Sequence, residues 1–401
     1  MAITFSQEPL LHTPASNPIL FSFISDQTGQ PNFSYKVELY IASALFGTYE
    51  IYPMSGPYAK FDASEYLRSF VATHLKYLGV FAWESQDQAI DMQVIVHESY
   101  GTPPVLEDSV TSTGNYAFNG ALRYTDFVVF NPQEYFIDFA NPLQPYFMTY
   151  YPSVEKQITV FRKPFLVGIL ADRGPQYYEL RLKIYDITGT EIYSNLDIID
   201  LDLIVNMLNI SPQSMVDNEW AVAGDFNDCY YYTVELFATK TSAPFTSQSS
   251  VPFKLYLDQS CYRFDPIRLY WMNKFGVIDQ FDFNMYSEES TSINSYGYQV
   301  QPGQWVDGQY SLSTMDNEKK INMKTAEDRI TLNTDWIKPA VQNWLVRELY
   351  ESPQVWMFKD GEYQPVIIEN KDSRQKTRFK DGLIQETVVA TITWSYRTQL
   401  N

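Results

Sequence analysis

Two stretches of this chain repeat one another. The first runs "NPILFSF" (17–23), "YKVELYI" (35–41), "GTYEIY" (47–52) and "FDASEYLRSF" (61–70). The second runs "KPFLVGI" (163–169), "YELRLKI" (178–184), "GTEIY" (189–193) and "LDLIVNMLNI" (201–210). The order is the same, and the offset drifts from 146 residues at Pro18/Pro164 to 140 at Asp62/Asp202, as small loop gaps allow. A duplication requires both copies to take one fold. The competing explanation is that unrelated β segments share a common pattern.

Each copy reads as strands. Tyr35, Val37, Leu39 and Ile41 alternate with Lys36, Glu38 and Tyr40, and Tyr178, Leu180, Leu182 and Ile184 repeat the pattern. Period-two alternation buries one face of a strand and wets the other. Gly47-Thr48 and Gly189-Thr190 mark turns. Asp62 can cap a short helical turn carrying Tyr66, Leu67 and Phe70, with Asp202 as a weaker counterpart. "DMQVIVHES" (91–99), "CYYYTVELFAT" (229–239) and "VPFKLYLD" (251–258) add further strands. About seven short alternating strands per copy is the pattern of a β-sandwich.

Composition agrees. Of 401 residues, 16% are aromatic, 45% hydrophobic and 19% charged, with 31 Tyr and 26 Phe. Aromatic and β-branched residues suit pleated surfaces. The expected fold is all-β with few short helices. An N-terminal arm (1–14) precedes sandwiches at 15–150 and 155–262, joined through the aromatic tract 136–153, and a C-terminal domain fills 263–401.

The C-terminal part departs from the repeat. It opens with "RLYWMNKFGVIDQFDFN" (268–284), which holds five aromatics and no histidine, cysteine or serine. Arg268, Leu269, Trp271 and Phe275 fit a strand entering a turn, and Gly276 supplies backbone freedom there. Asn273 and Asp279 have side chains that fix turns by bonding nearby backbone. Phe281 and Phe283 alternate inward on the returning strand, and Arg268 is expected to pair with Asp279 across the hairpin or to reach a neighbouring subunit. The polar stretch 286–324 reads as extended loops or an inter-subunit arm, with Trp305 in its "GYQVQPGQWVDGQ" segment (297–309). A helix is predicted over 334–351, capped by Thr334 or Asp335, with Trp336 and Trp344 on its apolar face and Pro339 in its first turn. Asp360-Gly361 marks a hairpin, and 386–396 a last strand carrying Trp394.

Groupings that carry chemistry are scarce. The three histidines are His12 in the expected tail, His74, and His97 on a strand, and no two share ligand spacing. No zinc, nucleophile-elbow or phosphate-loop pattern occurs, so no catalytic, cofactor or metal residues are assigned. Carboxylates in "DFNDCYYY" (225–232) and "DMQVIVHE" (91–98) leave an acid-pair polysaccharide hydrolase as one alternative. Eight tryptophans leave a carbohydrate-binding adhesin as another, with Trp83, Trp220 or Trp305 as exposed platforms. Cys229 and Cys261 are too few for a disulfide scaffold and are expected as buried free thiols, a single bridge staying open. The start lacks a signal-peptide pattern, and no run is long and apolar enough to span a bilayer. The net charge of −19 opposes tight binding to nucleic acid or anionic membrane.

The 268–284 segment resembles the Arg-x-x-Trp-x-Asn-x-x-Gly-x-x-Asp-x-Phe-x-Phe stretch of virion proteins from tailed phages of Bacteroidetes, including crAss-like phages. The run "ITLNTDWIKPAVQNWLVRELYESPQVWM" with "DGEYQPVIIEN" is similar to the same proteins' C-terminal unit. The repeats also look like theirs, and the specific part covers about 264–401. The resemblance implies a tail, tail-hub or neck-ring structural protein. Its C-terminal domain would be a tail-tube-like split β-barrel with a flanking helix, closing with other copies into a ring around the DNA channel. The implied partners are the chain itself and neighbouring tail, neck or portal proteins. DNA would pass without specific binding, sliding along an acidic wall. The implied place is the virion, after assembly in the host cytoplasm. The resemblance brings no catalytic residues and no cofactors.

Overall fold

Residues Ser34–Ile41 alternate apolar and polar side chains, and they form a strand with Tyr35, Val37 and Leu39 fully buried. The computed structural model describes residues 3–54, 56–75, 82–84, 87–137, 139, 143–171, 176–199, 201, 204–240, 247–260, 263–315, 318–370, 382–393 and 396–397, with backbone alone at 82–84, 176 and 396–397. Asp202, Cys261, Trp394 and the side chain of Trp83 lie outside the described residues. The chain is all-β, rich in strands, with four short α-helices among the described residues.

The first repeat contains β1 (Thr4–Gln7), β2 (His12–Pro14), β3 (Leu20–Ile24), β4 (Ser34–Ile41), β5 (Ala44–Ile51), β6 (Tyr58–Asp62), β7 (Ala82–Glu84), β8 (Ala89–Gly101), β9 (Pro104–Thr111) and β10 (Asn115–Phe118). Helix α1 (Ser64–Leu67) follows β6, and α2 (Tyr124–Val128) follows β10. The larger sheet has the order β2-β10-β8-β4-β5 with β9 on β8, and the smaller has the order β1-β3-β6. The segment expected as a free arm therefore supplies β1 and β2. His12, expected in a tail, is fully buried on β2 and stacks on Tyr116 at 5.4 Å.

The second repeat contains β11 (Ile158–Val160), β12 (Leu166–Leu170), β13 (Gln176–Tyr185), β14 (Glu191–Ile199), β15 (Val205–Asn209), β16 (Tyr231–Lys240), β17 (Ser247–Ser249) and β18 (Phe253–Asp258), with α3 (Pro212–Asp217) after β15. Its larger sheet has the order β11-β18-β16-β13-β14 with β17 on β16, and β12 pairs with β15. The larger sheets share one topology strand for strand, down to the parallel pairs β2/β10 and β11/β18, whereas the smaller sheets share only the β3/β6 and β12/β15 pairs: the third strand is β1 on β3 in one and β7 on β15 in the other. In the first copy Ser112 Oγ accepts from Val94 N–H at 2.9 Å, and in the second Ser250 Oγ accepts from Leu236 N–H at 2.9 Å.

One equivalence changes. Asp62 Oδ1 accepts from Ile19 N–H and Ser64 N–H, both at 3.0 Å. Asn209 Oδ1 accepts from Phe165 N–H at 3.1 Å and Ser211 N–H at 3.2 Å. The counterpart of Asp62 is thus Asn209 and not Asp202. Both residues end a strand and tie it to the start of the short helix, α1 or α3.

Each repeat packs its two sheets on one core. Phe21, Phe23 and Phe61 of the small sheet meet Tyr35, Val37 and Val94 of the large one. In the second copy Val167, Ile169 and Leu208 meet Leu180, Leu182 and Val234. Both repeats belong to one compact unit, Met1–Ser260 with Met272–Asp279. Cys229 is a buried free thiol there, and burial raises its pKa to about 12.

The second unit comprises Cys261–Trp271 and Gln280–Asn401. The strands of the C-terminal part are β19 (Ile267–Met272), β20 (Ile278–Phe283), β21 (Glu288–Gln299), β22 (Gln304–Val306), β23 (Gln309–Ser311), β24 (Lys319–Asn333), β25 (Val355–Lys359), β26 (Glu362–Ile368), β27 (Thr387–Ile392) and β28 (Tyr396–Arg397). One sheet runs β20-β19-β25-β26-β27-β24-β21 with β28 on β24, and no described pairing joins its two ends. Asp360 (φ 54°) and Gly361 (φ 84°) form the predicted β25/β26 turn.

In this unit the loop alternative for 286–324 gives way to a β-ribbon, β21 against β24, with the β22/β23 hairpin at its end. The helix α4 is shorter than predicted, Pro339–Glu348, with Lys338 at its N-cap and Pro339 at the first position, where a missing N–H costs nothing. Thr334 and Asp335 do not cap it: Thr334 Oγ1 accepts from Glu386 N–H, and Asp335 accepts from Trp336 N–H. Trp336 therefore precedes the helix and is 59% exposed, whereas Trp344 is buried within it.

Candidate functional site

The hairpin 268–283 gathers most of the residues singled out in the sequence. Its strands are β19 and β20, and its turn is built around Asn273. Asn273 N–H donates to Val277 O at 2.8 Å. Its side-chain Oδ1 accepts from Phe275 N–H at 2.9 Å and Val277 N–H at 3.2 Å, and its Nδ2 donates to Met148 O at 2.9 Å. A buried amide with both ends satisfied fixes the loop, because leaving either end unmet would cost about 1–3 kcal/mol.

Gly276 is held at φ +72°. A Cβ there would stand 1.5 Å from Asn119 O, so the turn admits no side chain. Its carbonyl accepts from Thr73 Oγ1 at 2.5 Å and from Gln88 Nε2 at 3.4 Å. Phe275 packs on Tyr150 at 4.5 Å and Tyr135 at 4.7 Å. The turn residues Met272–Asp279 thus anchor within the unit that holds the repeats.

Arg268, expected to pair with Asp279 or to reach a neighbouring subunit, forms its described ion pair with Asp282. It is 1% exposed, and its Nε donates to Asp282 Oδ1 at 2.9 Å while Nη2 reaches Oδ2. The register explains the pair: continuing outward from the Asn273/Val277 pair sets 268 opposite 282. Burial is the largest influence and lowers the guanidinium pKa, but Asp282 and Tyr270 together outweigh it and hold the value raised. Asp279 accepts from Thr149 Oγ1 at 3.1 Å. Asp282 lay unnoticed within the quoted motif, although counting outward from the turn would have found it.

Trp271 is fully buried and meets Trp344 at 5.0 Å, with Phe281 6.3 Å from the same ring. Phe283 is buried, while Phe281 is half-buried. Within the second unit Arg268, Trp271, Phe281, Phe283 and Trp344 lie in the sheet and α4, with Trp336 apart; within the first unit Asn273, Gly276 and Asp279 form and anchor the turn. The buried polar groups Arg268, Asn273 and Asp279 each have a hydrogen-bond partner within their own unit.

The other candidates scatter. His74 Nε2 lies 3.6 Å from Asp87, and His97 Nε2 lies 3.6 Å from Glu38. Asp225 Oδ2 accepts from Val222 N–H, and Glu98 is buried with a raised pKa from desolvation. Trp220 is 5% exposed and cannot act as a platform, whereas Trp305 is 73% exposed. Among the described residues no three His, Cys, Asp or Glu side chains form a group able to hold a metal, and no helix is long and apolar enough to cross a membrane. Comparison with protein-family models and with curated proteins finds no match to this chain.

Proposed function

We propose that this chain is a structural component of a tailed-phage virion, placed at the tail or neck and closing with copies of itself into a ring around the DNA channel. The observation that carries the proposal is the β21/β24 ribbon. Its outer part, Ser295–Gln299 against Lys319–Lys324, pairs with no third strand among the described residues. Tyr296 and Tyr298 on it, and Trp305, Leu312 and Met315 in the segment that joins its two strands, stand 51–88% exposed. A two-stranded hairpin is marginal alone in water, and large apolar residues gathered on one call for a covering surface.

Charge supports a second copy as the cover. The first unit holds 14 basic against 30 acidic residues, a net of −16, and the second holds 15 against 18, a net of −3. Copies meeting through the second unit repel least. Its open sheet with α4 is the proposed ring-forming element, and the resemblance of 264–401 to phage virion proteins points the same way. The acidic remainder would let DNA pass without sticking. Neighbouring tail, neck or portal proteins are the further proposed partners. Electron microscopy of the purified full chain tests the reading: rings of uniform diameter are expected, and single particles at every concentration would overturn it.

A further inference from the structure

We propose that the first unit binds saccharides that carry a carboxylate, in a cleft between the 149–157 segment and β18. The cavity measures about 500 Å³ and is walled by Tyr146, Tyr150, Tyr151, Phe253 and Tyr256. Ligand clefts commonly span roughly 300–1,000 Å³ and combine apolar walls with a few polar groups. Flat tyrosine rings suit the C–H faces of a sugar, and their hydroxyls suit its edges. Tyr150 is fixed by stacking on Phe275 at 4.5 Å, and Tyr151 by donating to Lys156 O at 3.0 Å. These walls are therefore set before any ligand arrives.

The polar groups favour an acidic sugar. Lys156 and Lys254 both line the cleft, and their Nζ atoms lie 4.7 Å and 4.9 Å from the centroid of Tyr256. Lys156 also donates to Tyr230 Oη at 3.0 Å, and Lys254 sits 3.6 Å over Tyr231. Contacts with aromatic faces hold the two ammonium groups in place, so less side-chain freedom is lost when an anion binds. Two lysines converge here in a unit whose net charge is −16. Glu155 lines the same cleft and can accept from sugar hydroxyls. A nucleic acid fits less well, since its continuous charge would meet the acidic remainder of the unit.

The inference stands apart from ring formation. The test is calorimetric titration of the full-length chain with tetragalacturonate, maltotetraose and a short single-stranded oligonucleotide, alongside Lys254→Gln. Lys254 is exposed, so that variant should keep the fold, checked by an unchanged melting curve. The expected result is saturable binding of tetragalacturonate, at least about tenfold weaker binding of the other two, and a loss of about tenfold in Lys254→Gln, a factor equivalent to about 1.4 kcal/mol. Absent binding of tetragalacturonate, equal binding of maltotetraose or oligonucleotide, or an unaffected Lys254→Gln would each overturn the proposal.

Discussion

Replacing Gly276 by alanine should be nearly as damaging as replacing it by valine, because the obstruction begins at Cβ. The added atom would lie 1.5 Å from Asn119 O and 2.4 Å from its carbonyl carbon. Asn119 has little room to retreat: its N–H donates to Gln88 O at 2.8 Å and its Nδ2 to Thr73 Oγ1 at 2.9 Å. A side chain at φ +72° adds about 1–2 kcal/mol of backbone strain. Forcing the backbones apart adds about 1–3 kcal/mol, the usual cost of overpacking. The sum, about 2–5 kcal/mol, is a large part of the roughly 5–15 kcal/mol that holds a domain folded. Gly189 is the control, since it has φ +82° in the same unit with no atom nearer than 4.0 Å. Gly189→Ala should cost only the strain, about 1 kcal/mol. Urea unfolding followed by circular dichroism compares them. Equal midpoints for Gly276→Ala and Gly189→Ala would refute the close-approach argument.

Three further outcomes follow from the same geometry. Asp282→Ala leaves the buried Arg268 guanidinium without its carboxylate and should cost about 3–5 kcal/mol in urea unfolding, whereas Asp279→Ala should cost nearer 1–2 kcal/mol; the reverse order would show that Asp282 is not the main partner. Trp344→Ala should lose about 3–5 kcal/mol and Trp336→Ala about 0.5 kcal/mol or less, read from melting temperatures. His12 is fully buried, neither ring nitrogen has a hydrogen-bond partner among the described residues, and burial lowers its pKa from 6.5 to about 4. The stability that goes with the neutral ring is complete above pH 6.5, is lost as the pH falls towards 4, and amounts to about 3 kcal/mol in total. Wild type should therefore lose stability relative to His12→Phe across that window, and parallel curves would show that His12 does not titrate there.

Local pattern carried much of the fold. Alternation at Tyr35–Ile41 and Tyr178–Ile184 disclosed the strands, and repetition disclosed that two copies share a larger-sheet topology. Aligning Asp62 with Asp202 failed because the sequence match followed acidic identity, while the fold reuses an acceptor oxygen that asparagine supplies equally well. The 286–324 stretch looked like loop because a ribbon exposed on both faces needs no apolar alternation. Trp336 looked buried because its spacing from Trp344 is helical, but Pro339 sets the helix start and leaves Trp336 outside. The turn at Asn273 and Gly276 was legible from residue type; its anchors Thr73, Gln88 and Asn119 were not, being about 150–200 residues distant in the chain. The Lys156/Lys254 cleft was equally hidden, since nothing local links residues from two separated segments.

The central claim is self-assembly through the ribbon, and sedimentation velocity over a concentration series tests it most directly. The account predicts one discrete closed oligomer for the full chain. It also predicts a monomer, with unchanged circular dichroism, when Trp305, Leu312 and Met315 are replaced by serine. A wild-type chain that stays monomeric throughout the series, or an oligomer indifferent to those three substitutions, would contradict it.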